Sequence, residues 1–67
     1  MIYFSITKRG KDVVRAHANS GDVGVKMLAA IWENPMDESE VEVHFKDGVY
    51  LAKKLAQEGF LKAEGGV

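Results

Sequence analysis

The chain has 67 residues and no cysteine, and nine Lys and Arg stand against ten Asp and Glu, for a formal charge of -1. A chain of this length makes one small domain that hides only about 60% of the surface its unfolded form exposes, with no disulfide or thiolate zinc site to reinforce it. The balanced charge excludes bulk attraction to nucleic acid or to an anionic membrane, so any such contact has to come from local charge.

Local charge is uneven. Lys8, Arg9, Lys11 and Arg15 cluster near the start, Glu33, Asp37, Glu38, Glu40 and Glu42 crowd the middle, and Lys46, Lys53 and Lys54 return positive. No apolar run approaches the roughly 20 residues a membrane helix needs, and the opening MIYFSITKRGK carries its charges after its apolar residues rather than before, so no membrane association and a cytoplasmic location are expected.

In chain order, Ile2 to Ile6 is β-branched and aromatic and reads as a short strand with Ile2, Phe4 and Ile6 facing one way. Thr7 caps a helix over about Lys8 to Ala18, with Gly10, Val13, Val14, His17 and Ala18 toward the core and Arg9 and Arg15 largely in solvent. Asn19, Ser20 and Gly21 end it. Ser20 or Asp22 caps a second helix through Trp32, in which Val23, Met27, Leu28, Ile31 and Trp32 keep helical spacing and supply most of the bulky core. Asn34-Pro35 stops that helix.

Met36 to Lys46 carries two patterns. Asp37 with Glu40 fits a capping box for a short helix, whereas Val41, Val43 and Phe45 alternate like a strand. The helix is favoured, because its acidic first turn suits a helix N-terminus and the next helix follows after the short turn Lys46-Asp47-Gly48. Asp47 is placed to cap that next helix, Gly48 to Glu58, and Gly59 suits the left-handed position after its last turn. Leu51, Ala52, Leu55 and Ala56 share one side of this helix; Tyr50, Lys53, Lys54 and Gln57 share the other. Phe60 to Glu64 reads as an exit strand, and residues from about 65 to 67 as a frayed tail. The expected domain spans residues 1–67 and is mainly α with a small sheet, of α+β class and order β-α-α-α-α-β.

The segment LAAIWENPMDESEVEVHFKDGVYLAKKLAQEGFL resembles the winged-helix members of the helix-turn-helix class. A helix ends at Pro35, an acidic short helix follows, and the next helix closes with Leu55 and Gly59-Phe60-Leu61, the pattern that leads into the first wing strand. The opening YFSITKRGKDVV is similar to the Thr-x-x-Gly-Lys start of a helix that follows a wing strand, here Thr7, Gly10 and Lys11. The family's wing takes two strands and a loop after the recognition helix, yet only six residues follow Leu61. The wing is therefore truncated or borrowed, and antiparallel pairing of Ile2–Ile6 with Phe60–Glu64 would supply its missing partner.

This resemblance implies a regulator that binds double-stranded DNA, as a homodimer on a palindrome. Tyr50, Lys53, Lys54 and Gln57 would face the major groove, with Lys8, Arg9 and Lys11 on the backbone and Lys46 as a further DNA-binding residue. The plainer alternative makes the two lysines solubilising residues and Tyr50 a cover for the core's rim. Asp37 to Glu42 would repel phosphates and could instead face a basic protein partner, which makes a protein-interaction module the contrasting reading. A lesser alternative is K-homology-like RNA binding through Gly21-Asp22-Val23-Gly24, which needs a strand at Val41 to Phe45. Glu38, Glu42 and His44 show no recognised metal spacing, and no cofactor or catalytic constellation is present, so no enzyme activity is expected.

Overall fold

The computed structural model describes residues 2–65. Strand β1 (Ile2–Ile6) turns at Thr7 into helix α1 (Lys8–Ala16), and helix α2 (Val23–Glu33) follows a short loop. A two-residue strand β2 (Met36–Asp37), two helices α3 (Glu38–His44) and α4 (Gly48–Gln57), and strand β3 (Leu61–Gly65) complete the chain. The α+β class is as expected, but the order gains β2.

β1 lies in the middle of a three-stranded sheet of order β2-β1-β3, antiparallel to both neighbours. Its register with β3 runs from Ile2 opposite Gly65 to Ile6 opposite Leu61, so the expected pairing of the two distant strands is present. Gly65 is thus a strand residue rather than the start of a tail; positions 66 and 67 lie outside the described residues. Alternation along β1 buries Phe4 completely and leaves Tyr3 half exposed on the outer face. The extra strand β2 comes from two local restraints: Asn34 before Pro35 is held extended, and Asp37 is extended because it caps α3.

Thr7 Oγ1 accepts from the Gly10 amide at 3.1 Å, which starts α1, and donates to the Gly59 carbonyl at 2.7 Å. α1 ends at Ala16, and His17 and Ala18 are exposed, which corrects their placement in the core. Val13 and Val14 already complete the face that packs on the core, and a turn closed by the Ser20 amide on the His17 carbonyl leads the chain away. Asp22, not Ser20, caps α2 through the Val25 amide. Val23, expected in the core, is 48% exposed, because at the first helical position it lies outside the buried stripe of Gly24, Val25, Met27, Leu28 and Ile31.

α3 begins with the full reciprocal capping box of Asp37 and Glu40. Val41 is fully buried while Val43 is 81% exposed, as helical spacing requires. Since α3 runs through His44 and Phe45 is its extended C-cap, the strand that the K-homology alternative needs at Val41 to Phe45 is absent among the described residues. Asp47 does not cap α4 with its side chain: its backbone is left-handed, φ 54 and ψ 37. The donor it was expected to meet is served by Glu42, whose Oε1 accepts from the Val49 amide at 2.8 Å. Gly48 lets α4 start against α3, since a methyl group there would run into the Val41 carbonyl. At the far end Gly59 has φ 87, and the Phe60 amide reaches back to the Leu55 carbonyl at 2.9 Å, closing the helix as a Schellman turn.

The core joins Phe4 and Leu61 from the sheet with Met27, Leu28 and Ile31 from α2, Val41 from α3 and Ala52 and Leu55 from α4. No buried side-chain polar atom among the described residues lacks a partner. No described helix is long and apolar enough to cross a membrane.

Candidate nucleic-acid interface

α4 is fixed from both ends and from beneath. Glu42 holds its first turn, the Gly59 turn holds its last, and Ala52 and Leu55 anchor its inner face. The opposite face is therefore presented on a rigid helix. Tyr50, Lys53, Lys54 and Gln57 line one open groove of about 390 Å³ along it. Tyr50 is 71% exposed, which leaves its ring and hydroxyl free to meet a ligand.

These four residues are the ones the helical pattern placed together, and the structure brings them together. The remaining basic candidates disperse. Lys46 is exposed in the turn before α4, and Lys8 is exposed at the start of α1. The Arg9 guanidinium lies over the Phe60 ring, 4.9 Å from its centroid, beside the turn that follows α4. Lys11 turns elsewhere: its ammonium and the Arg15 guanidinium stand 5.7 and 5.4 Å from the Trp32 ring, on the α1–α2 side. The Lys8-Arg9-Lys11 run is thus divided between two surfaces rather than gathered beside α4.

The acidic run has an internal explanation that its charge alone did not reveal. Asp37 accepts from the Glu40 amide at 2.9 Å, and Glu40 accepts from the Asp37 amide at 3.2 Å. Glu42 serves Val49, and Glu38 Oε1 accepts from the Ile2 amide at 3.4 Å. Glu38 Oε2 also lies 3.9 Å from Lys53 Nζ, which places a carboxylate at the edge of the candidate face. The seven-residue separation of Glu42 from Val49 hid that cap, because local capping rules look only three or four residues along the chain.

Among the described residues no group of three His, Cys, Asp or Glu side chains is arranged to hold a metal ion. The groove on α4 has one phenol, two ammonium groups and one amide, all donors or mixed donors, and no carboxylate among its lining residues. Such a set suits phosphate oxygens and the acceptor edges of bases. Compared with models of protein families, with curated proteins and with solved structures, the chain matches none.

Proposed function

We propose that this domain binds duplex DNA through α4, as a winged-helix-like module whose wing pairs β3 with β1. The observation that carries the reading is the groove of Tyr50, Lys53, Lys54 and Gln57 on the second helix of a tightly joined pair. The sheet supports it. β3 leaves α4 as a first wing strand does, and β1 supplies the antiparallel partner that would ordinarily follow it. Thr7, Gly10 and Lys11 then open a helix directly after that strand, as the resemblance implies.

Lys53 and Lys54 contact phosphates or guanine, Gln57 reads adenine or a phosphate, and Tyr50 packs against sugar or an apolar base edge. Arg9 and Lys46 flank the helix at its two ends. Glu38 tempers the site by holding Lys53.

The test is a titration of the labelled protein with mixed-sequence duplex at low salt. Amides from Tyr50 to Gln57 shift if DNA sits on this face; unmoved amides overturn the proposal and favour a protein partner. Replacing Lys53 and Lys54 together by Ala lowers the slope of log affinity against log salt by about 0.9 for each of the two that sits on a phosphate, and by about 1.8 where both do. Glu38→Gln releases Lys53 and removes a negative charge, and so tightens binding.

A further inference from the structure

Among the described residues, no strand lies along the outer edge of β3. β3 borders β1 on one side, and its residues from Lys62 to Gly65 are exposed. Which backbone groups face outward follows from the ladder. The Thr7 amide donates to the carbonyl of Phe60, its partner in the same register, at 3.2 Å. Inward and outward groups alternate in an antiparallel pair, so Lys62 and Glu64 also direct their amides and carbonyls toward β1. Leu61, Ala63 and Gly65 direct theirs away from it. Among the described residues no further hydrogen bond occupies those outward groups.

We propose that this edge pairs with the same edge of a second copy, antiparallel and centred on Ala63, giving a two-fold dimer with one continuous sheet of order β2-β1-β3-β3-β1-β2. The register follows from hydrogen bonding and charge together. With Ala63 opposite Ala63 of the second copy, the two Ala63 residues exchange amide and carbonyl bonds across the axis, while Leu61, only 2% exposed, stays covered by its own copy. The same register sets Lys62 directly opposite Glu64 in a non-hydrogen-bonded pair, where side chains on facing strands are closest. This happens twice, once on each side of the axis. The nearest symmetric alternatives, centred on Lys62 or on Glu64, put like charges opposite each other and shorten the overlap. Within one copy Lys62 and Glu64 already attract, with Nζ and Oε1 3.0 Å apart. In the dimer each of those ions gains a second opposite neighbour. The exposed part of the strand, Lys62 to Gly65, is self-complementary in this register. Ala63 and Gly65 add no bulk on the other face.

An edge strand carrying charges is more often a device against association. Here the charges are of both signs, spaced two residues apart, and so discriminate between registers rather than forbidding all of them. The inference does not depend on DNA binding.

The experiment is sedimentation velocity on the full chain over a concentration series reaching the millimolar range. The wild type forms a dimer that does not grow further. Lys62→Glu and Glu64→Lys each place like charges across the axis and weaken dimerisation roughly tenfold. An equimolar mixture of the two single variants restores it, because every Lys of one chain then meets a Glu of the other. Ala63→Pro removes an amide that faces outward and spares the β1 ladder, so it abolishes the dimer while leaving the far-ultraviolet circular dichroism of the monomer unchanged. A wild type that stays monomeric throughout, single variants that associate like the wild type, a mixture that fails to recover, or growth beyond two copies would each overturn the proposal.

Discussion

Glu42 and Asp47 divide between them a task that a capping residue ordinarily performs alone. Asp47 shapes the turn, adopting the left-handed backbone that brings α4 back against α3, and Glu42 satisfies the Val49 amide from the preceding helix. The two roles separate on substitution. Glu42→Ala leaves an amide of the first turn without its partner and costs about 1 kcal/mol, read as a lower midpoint of urea unfolding. Asp47→Gly loses no side-chain hydrogen bond, since Asp47 makes none to the helix. Glycine accepts positive φ without steric penalty, so this variant is more stable by roughly 0.5–1 kcal/mol, whereas Asp47→Val loses at least as much. Both comparisons use the same denaturation curves, and a neutral or destabilising Asp47→Gly would mean that the Asp carboxylate contributes through its charge. Sequence marked Asp47 as a cap because its type and position fit; what it could not carry is a backbone angle imposed by two helices folding onto each other.

At the level of the elements, those with several concordant local signals were legible. Thr7 with Gly10, Asp22 before an apolar helical stripe, the Asp37–Glu40 box and Gly59 before Phe60 each join a side-chain preference to a backbone requirement, and each appears where expected. β2 was not legible, because two residues carry no periodicity, and its strand character exists only through Tyr3 and Phe4 alongside. The end of α1 was overrun for the opposite reason: His17 and Ala18 continue the helical spacing after the core has ended. The face of α4 was legible because one side of that helix holds small and aliphatic residues and the other holds none. The dispersal of Arg9 and Lys11 was not, since the rings that attract them, Phe60 and Trp32, are distant in sequence. The α3–α4 joint also predicts its own weak point. Gly48→Ala gains about 1 kcal/mol of helix propensity but places a methyl group against the Val41 backbone, which cannot move aside as a flexible side chain could. The clash exceeds the gain, so the variant is less stable by about 2 kcal/mol in thermal or urea unfolding, and the amides of α3 and α4 shift more than those of α1. A Gly48→Ala variant as stable as the wild type would show that the two helices slide apart without cost.

For the molecule as a whole, the sheet ties the beginning of the described chain to its end. Ile2 stands opposite Gly65, and the Thr7 to Gly59 and Thr7 to Phe60 hydrogen bonds close the other end of the same ladder. The core draws on β1, α2, α3, α4 and β3, so no half of the chain buries its apolar surface alone. Folding must therefore close a loop almost as long as the chain, and the entropy of that closure weighs against a small core. This leads to a prediction about connectivity rather than about any residue. If Gly65 is joined to Ile2 by a linker of about four residues and the chain is opened in the exposed turn near Asn19, β3 and β1 become a local hairpin while every packed contact is retained. The α1–α2 contact then becomes the distant one. Since loop entropy rises only slowly with length, exchanging one long closure for another leaves the equilibrium stability within about 1–2 kcal/mol of the original. The folding rate, by contrast, rises, because the five-residue ladder no longer waits for the chain ends to meet. Stopped-flow refolding and a proton–nitrogen correlation spectrum check both parts. A permutant that stays unfolded would mean that the ladder between β1 and β3 is not what organises the core, whereas a native spectrum with unchanged refolding would place the slow step in the docking of α1 on α2.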